Sequence, residues 1–410
     1  MSTRIVPKNT VEQNPRDLNF VSDPYSLYRK WHADTSPVFW QDYGFWCLIS
    51  YDSVNRVLRD RRFARLPPTG IIQKPTPDHL RDFAAAEKYS LLAMEPPAHT
   101  RLRQRVNRAF VSRQIDRLAP AIEATAHACI DRFQADGKVE LLRQYATPIP
   151  LNVITRLLGV PESSGPDLVA WSHAMVRVYT LSQTRKEEEL ANQAAFDFQA
   201  FLRDVIEDKR KHPSDDLLSH LLALDDESEP ITDEEIISVT ILLLNAGHEA
   251  SVHQLGNATY TLLREYPGHR RAELLDALSD DQRADDIVAE CLRFAAPLHL
   301  FTRFAQEALT LDGGPTLARG DQVGLLLAAA NRCPRRFDQP NRFIPGRADA
   351  AHLSLGAGIH YCVGAHLSRL ELRIALQVLF ERLPALSLVE HPQYQDAFHF
   401  HGLQALHVHW

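Results

Sequence analysis

The chain has 410 residues, 45% of them apolar, and a formal net charge of −7 at pH 7. That much apolar side chain supports a large buried core, and the acidic balance argues against a general nucleic-acid binder. No run of about 18 apolar residues is present to span a bilayer, because the densest stretch, 236–247, is broken by Ser238, Thr240 and Asn245.

The N-terminal Met-Ser-Thr-Arg-Ile-Val-Pro reads as neither a signal peptide nor a membrane anchor. Five cysteines, at 47, 129, 291, 333 and 362, are odd in number and form no Cys-x-x-Cys pair, so neither a disulfide framework nor a zinc site is suggested. The expectation is a cytoplasmic protein with no membrane contact.

Residues 1–22 are polar and read as an extended arm. Asp23-Pro24-Tyr25 opens a helix carrying Leu27, Tyr28 and Trp31. Apolar residues on both sides of Asp42-Tyr43-Gly44 signal a hairpin over 37–50, and helix returns over 53–60. Residues 64–90, with Pro67, Pro68, Gly70, Pro75 and Pro77, read as irregular, either a lid or a surface loop. From Pro97 to about Arg264 the pattern is mostly helical. Short strands are expected over 308–326 and near 386–390 and 404–409. With no repeat and no linker, residues 1–410 read as one domain.

After Pro96-Pro97, His99 and Arg103 share a helix face with Leu102, Val106 and Phe110. Two cationic donors on an apolar face need an anion or water. Arg101, Arg105, Arg108, Arg113 and Arg117 are left either as a solvated face or as a basic dock for an acidic electron-transfer protein.

Thr232-Asp-Glu-Glu235 fits a capping box. The helix it opens is apolar all round, is therefore buried, and stops before Pro267. Asn245-Ala-Gly-His-Glu-Ala-Ser251 interrupts that pattern. A glycine and a carboxylate inside a buried helix are both costly, so a local distortion around a polar pocket is expected.

Further on, Glu290 and Arg293 are three apart on one helix. Residues 353–371 then read Leu-Ser-Leu-Gly-Ala-Gly-Ile-His-Tyr-Cys-Val-Gly-Ala-His-Leu-Ser-Arg-Leu-Glu. Gly356, Gly358 and Gly364 hold Cys362 on a tight turn at the mouth of a helix, where backbone amides favour a thiolate. A thiolate on such a loop suits a haem iron as axial ligand. Gly356-x-Gly358 is not a dinucleotide fingerprint, because Tyr361 stands at the position of the third glycine.

This stretch resembles the haem-binding loop of the cytochrome P-450 family, Phe-Gly-x-Gly-x-His-x-Cys-x-Gly-Ala-x-Leu-Ala-Arg-x-Glu. Leu355 replaces the usual Phe and Ser368 an Ala. The resemblance spans nearly the whole chain and implies a mainly α fold with small β-sheets. In that fold haem b lies between the long central helix and the cysteine-bearing loop. It implies Cys362 as iron ligand, with Leu355, Gly356 and Gly364 around it, and His99, Arg103, Arg303 and His360 at the haem propionates. Ala246 and Gly247 leave room for O2, the co-substrate. Glu249 belongs to the proton relay, but Ala250 stands where the family has Thr, and Ser251 lies about 100° further round the helix. Protons are then expected through Glu249, Ser251, water or a substrate hydroxyl.

By the same resemblance Glu290, Arg293 and Arg342 form a structural triad. Leu244, Ala246, Leu298, His299, Phe301 and Phe400 fall in segments that either line the substrate pocket or are ordinary core, and His299 or His401 is the candidate polar contact. The implied activity is a monooxygenase acting on a lipophilic small molecule. No flavin or ferredoxin module fits in the chain, so electrons are expected from NAD(P)H through a separate reductase and a ferredoxin or flavodoxin. Ala250 keeps a peroxygenase or isomerase as the alternative. A haem sensor or a cysteine hydrolase are weaker rivals, the second lacking a persuasive base.

Overall fold

A computed structural model describes residues 9–34, 37–71, 75–110, 112–179, 183–223, 229–311 and 313–410. The structure is mainly helical with small sheets, and its chain falls into two compact units. The first takes residues 1–71, 256–362 and 384–410, and the second 72–255 and 363–383.

The first unit is built on a six-stranded mixed sheet. Its order is Thr10–Val11, Val38–Trp40, Phe45–Leu48, Gln322–Leu326, Leu300–Ala305, Phe63–Ala64. The expected hairpin is there, with Phe39 opposite Trp46 and the turn at 41–44. The strand Leu300–Ala305 was not anticipated. It pairs antiparallel with Gln322–Leu326, placing Arg303 opposite Val323. Strands Ser387–Leu388 and His407–His409 also pair, near both C-terminal positions expected.

The expected N-terminal arm is partly a helix. Asp17 caps Leu18–Ser22 by accepting from the Phe20 amide, and Phe20 and Val21 are buried. Phe20 supplies the reason, with its ring 5.7 Å from Trp40 and 5.0 Å from Phe398, contacts that local polarity does not reveal. Residues 1–8 lie outside the described residues.

The second unit is a helical assembly that includes Arg81–Glu87, Ala98–Ala109, Ala119–Phe133, Pro148–Leu158, Gly165–Val176 and Arg185–Lys211. Arg81–Glu87 falls in the stretch expected to be irregular. Its starting amides, at Asp82 and Phe83, donate to Asn192 Oδ1 at 2.8 and 3.1 Å. The cap comes from another helix, so the local sequence does not show it. Residues 72–74 lie outside the described residues.

The central helix runs Asp233–Glu265, 33 residues, or about 50 Å at 1.5 Å per residue. Its capping box forms, with the Glu235 amide donating to Thr232 Oγ1 at 3.2 Å and the Thr232 amide to Glu235 Oε2 at 3.0 Å. The expected distortion is absent, and the helix is continuous through Asn245–Ser251. Gly247 faces Ile154, where an added Cβ would make ordinary contact at 3.5 Å, so neither a break nor a clash marks the position.

The arginines of the helix Ala98–Ala109 are unevenly placed, Arg108 being exposed while two others are engaged. Arg101 is bonded to Glu235, and Arg105 is buried and donates to the Glu229 carbonyl at 3.2 Å. Arg117, beyond that helix, pairs with Asp215 at 3.1 Å. The Arg113 side chain lies outside what is described. No helix among the described residues is long and apolar enough to cross a membrane.

Candidate active site

Within the first unit, the cysteine loop is a series of tight turns. The amides of Gly356, Tyr361 and Cys362 donate to the carbonyls of Leu353, Gly358 and Leu355 at 2.9, 3.1 and 2.9 Å. Gly356 and Gly358 both take φ +70°, a left-handed conformation that side chains disfavour. At Gly358 a Cβ would meet the Leu58 carbonyl oxygen at 2.2 Å. Of the five cysteines only Cys362 is partly exposed. Burial pushes the thiols of Cys47, Cys129 and Cys291 up, keeping them protonated.

The loop is anchored through a buried ion pair. Arg293, with no exposure, grips both oxygens of Glu290 at 2.7 Å. Its remaining donors reach the carbonyls of Asn331, Pro340 and Arg342 at 2.8, 2.9 and 3.1 Å. Asn331 carries the linkage onward, accepting from the Leu353 amide and donating to Ser354 Oγ, each at 2.7 Å. Ser354 in turn donates to the Leu292 carbonyl at 2.6 Å.

The expected third member, Arg342, is corrected by this geometry. Its guanidinium donates to Gln339 and only its carbonyl joins the network, whereas Arg347 donates to Glu290 Oε1 at 3.1 Å. The turn after Pro340 aims the later arginine at the acid.

Arg303 is buried and donates to the Thr302 carbonyl at 2.8 Å. His360 closes the short 3-10 turn Gly358–His360 and is half-buried. Leu355 is half-buried, and the Phe301 ring approaches to 3.9 Å of a Cβ built on Gly356. Leu298 and Phe400, both half-buried, pair as a β-bridge.

His299, expected at the pocket, is instead a core residue. It has no exposure, its Nδ1 lies 3.0 Å from the Tyr28 hydroxyl, and its ring lies 4.5 Å from that of His401. Burial holds its basicity well below the usual histidine range.

In the second unit, His99 is buried on the helix Ala98–Ala109, while Arg103 on the same helix is half-buried and donates to Asn107 at 3.1 Å. Gly364 leads into the helix Ala365–Arg382. Ala246 is exposed on a helix otherwise largely buried, and the neighbouring Leu244 is buried.

Glu249 accepts from His173 Nε2 at 2.9 Å, and His253 Nε2 lies 3.6 Å away. Burial raises the Glu249 carboxyl, but the His173 bond and the charges of His173, His253 and His248 outweigh it, so it lies below the usual range. His173 is correspondingly raised by its bond to Glu249. His248, desolvated, falls to about 4. Ser251 hydrogen-bonds the carboxyl of Glu371, which burial lifts to about 8.

Sequence reading missed His173, Arg347 and Glu371 as members of these networks. An acid among Leu370, Leu372 and Leu376 was a visible signal for Glu371. Nothing in the sequence places His173 beside Glu249.

A partly exposed cysteine on a glycine turn, anchored from a buried Glu–Arg pair, is the arrangement expected of a haem-thiolate oxidoreductase. The chain belongs to the cytochrome P450 family, whose model (Cytochrome P450) matches residues 22–398. It is 35% identical over 406 residues to cytochrome P450 monooxygenase PikC of Streptomyces venezuelae, covering 96% of this chain and 92% of that one. To 6-deoxyerythronolide B hydroxylase of Saccharopolyspora erythraea it is 34% identical over 381 residues, covering 90% and 91%. Among solved structures, P450BioI with hexadec-9Z-enoic acid ligated acyl carrier protein is 31% identical, with a TM-score of 0.87 over 96% of this chain and all of that one. The protein is a monooxygenase of this family, which uses haem b, O2 and electrons delivered by partner proteins.

Proposed function

We propose that this chain hydroxylates a lipophilic small molecule with one atom of O2, Cys362 being the iron ligand. The observation that carries this reading is that Cys362 alone among the cysteines is not fully buried, on a turn whose two left-handed glycines admit no side chain without strain. The residues present fit the cofactor: a thiolate donor, a cradle closed to Cβ atoms, and His99, Arg103, Arg303 and His360 as donors for carboxylates. When bound, haem supplies the O2 activation, which a thiolate ligand favours.

The chain's own part is positioning and proton supply. Ala250 carries no hydroxyl, and that of Ser251 is engaged by Glu371. Glu249 is therefore the acid that moves protons, fed from solvent through His173, whose side chain is 56% exposed and bonded to it. Ala246 and Gly247 keep the O2 side of the central helix clear of bulk. Leu244, Ala246, Leu298, Phe301 and Phe400 contact substrate, while His299 does not. A relative that is a 6-deoxyerythronolide B hydroxylase and a neighbour in complex with an acyl carrier protein ligated to hexadec-9Z-enoic acid support a hydrocarbon-rich substrate. Electrons come from a ferredoxin or flavodoxin with an NAD(P)H-dependent reductase, in the cytoplasm. Residues 1–410 act as one catalytic domain, because the family match takes in residues of both units.

The test is optical. The reduced wild-type protein under carbon monoxide is expected to show the red-shifted band of thiolate ligation, and Cys362→His is expected to lose it while retaining haem. An unchanged spectrum in the variant refutes the assignment.

A further inference from the structure

In the second unit, His173 on the helix Gly165–Val176 and His248 and Glu249 on the central helix each offer a ligand atom. These atoms all lie within 4.8 Å of one another, the one such His/Cys/Asp/Glu cluster found among the described residues. His248 is an independent pointer to a ligand. It is 1% exposed, and neither ring nitrogen has a protein hydrogen-bond partner. Buried imidazole nitrogens ordinarily find one. A carboxylate pairing with His173 explains two members of the cluster and leaves this third one unexplained.

We propose that His173, His248 and Glu249 bind one divalent transition-metal ion, with zinc as the fitting case. Two imidazoles and one carboxylate match the ligand taste of borderline cations, and three protein ligands leave a position for water. Donors about 2.0–2.2 Å from zinc stand roughly 3.4 Å from one another. His173 and Glu249 already meet at 2.9 Å, and the exposed His173 side chain has room to swing and admits the ion from solvent. His253, 3.6 Å from the other Glu249 oxygen, stands behind the carboxylate as an orienting group. Magnesium and calcium, which prefer all-oxygen shells, are not expected there. Occupancy staples the helix Gly165–Val176 to the central helix. It also withdraws Glu249 from proton delivery, a consequence that rests on the proposed role of Glu249, whereas the binding itself does not.

The experiment uses the full, haem-loaded chain, with zinc titrated against a chromogenic chelator and magnesium and calcium run in parallel. One zinc per chain is expected, with affinity at least tenfold weaker in His173→Ala and in His248→Gln. Zinc is expected to raise the wild-type Tm by several degrees and to leave both variants unmoved. Since the His173 side chain is exposed, its variant should fold, and far-UV circular dichroism checks this. Equal zinc affinity in wild type and His173→Ala, or no stoichiometric zinc, overturns the site. Zinc is also expected to slow wild-type product formation and not that of His173→Ala, each relative to its own zinc-free rate. Intact binding without that slowing overturns the proton role of Glu249 and leaves the metal site standing.

Discussion

A carboxyl on the apolar face of a buried helix must find a cation or give up its charge. Glu371 gives up its charge. Burial lifts its folded pKa to about 8, against 4.5 for the ordinary group, and the Ser251 bond only partly counters this. Between those two values the unfolded chain has released a proton that the folded chain keeps. Stability therefore falls as pH rises through that window and levels off above it. A tenfold difference in proton affinity is worth about 1.4 kcal/mol, so the loss by pH 8 is on the order of a few kcal/mol. Glu371→Gln is expected to flatten this slope, as read by chemical denaturation of the haem-loaded protein from pH 5 to 8. Parallel wild-type and variant curves contradict it.

The same residue shows what a sequence discloses. An acid set among leucines is visible, but its partner lies on another helix, 120 positions earlier. Arg347 and Arg342 make the point differently. Both are arginines near Pro340, and only the path of the turn decides which one reaches Glu290.

At the scale of the element, the cysteine loop was legible because its glycines occur at a spacing that ordinary loops have no need of. What the spacing did not show is the surface the loop is moulded against. Gly358 sits on the carbonyl of Leu58, in the helix Tyr51–Arg59, at a distance no Cβ tolerates. Gly358→Ala thus combines left-handed strain with a backbone clash and is expected to cost more than about 2 kcal/mol. Gly44→Ala is the control, with φ +72° and no atom within 4 Å of its Cβ, so strain alone remains and the cost is about 1 kcal/mol. Equal melting shifts in the two variants count against the clash.

The central helix was legible for the opposite reason. Its start signal and its all-round apolarity are local properties, and both appear as expected. The distortion expected at Gly247 rested on treating a glycine as a flaw, whereas the helix runs through it unbroken. The helix Arg81–Glu87 was hidden because its cap is a side chain of Asn192, brought from more than a hundred residues away.

For the whole molecule, the family and the mainly helical architecture followed from a few motifs, while the long-range pairings did not. Strand Leu300–Ala305 takes Phe63–Ala64 as one neighbour and Phe20 packs on Phe398, contacts across hundreds of residues. His299 followed its neighbours into the aromatic core through the Tyr28 hydroxyl, a partner no nearby residue announces. The motif positions themselves carry no record of such partners.

The uneven burial of the five thiols also gives the molecule one chemical handle. Four sulfurs are shut away, so an alkylating reagent meets essentially one target in the native chain. On the proposed ligation, iron takes up that sulfur and the handle disappears. Mass tagging under native conditions would then count empty chains against loaded ones.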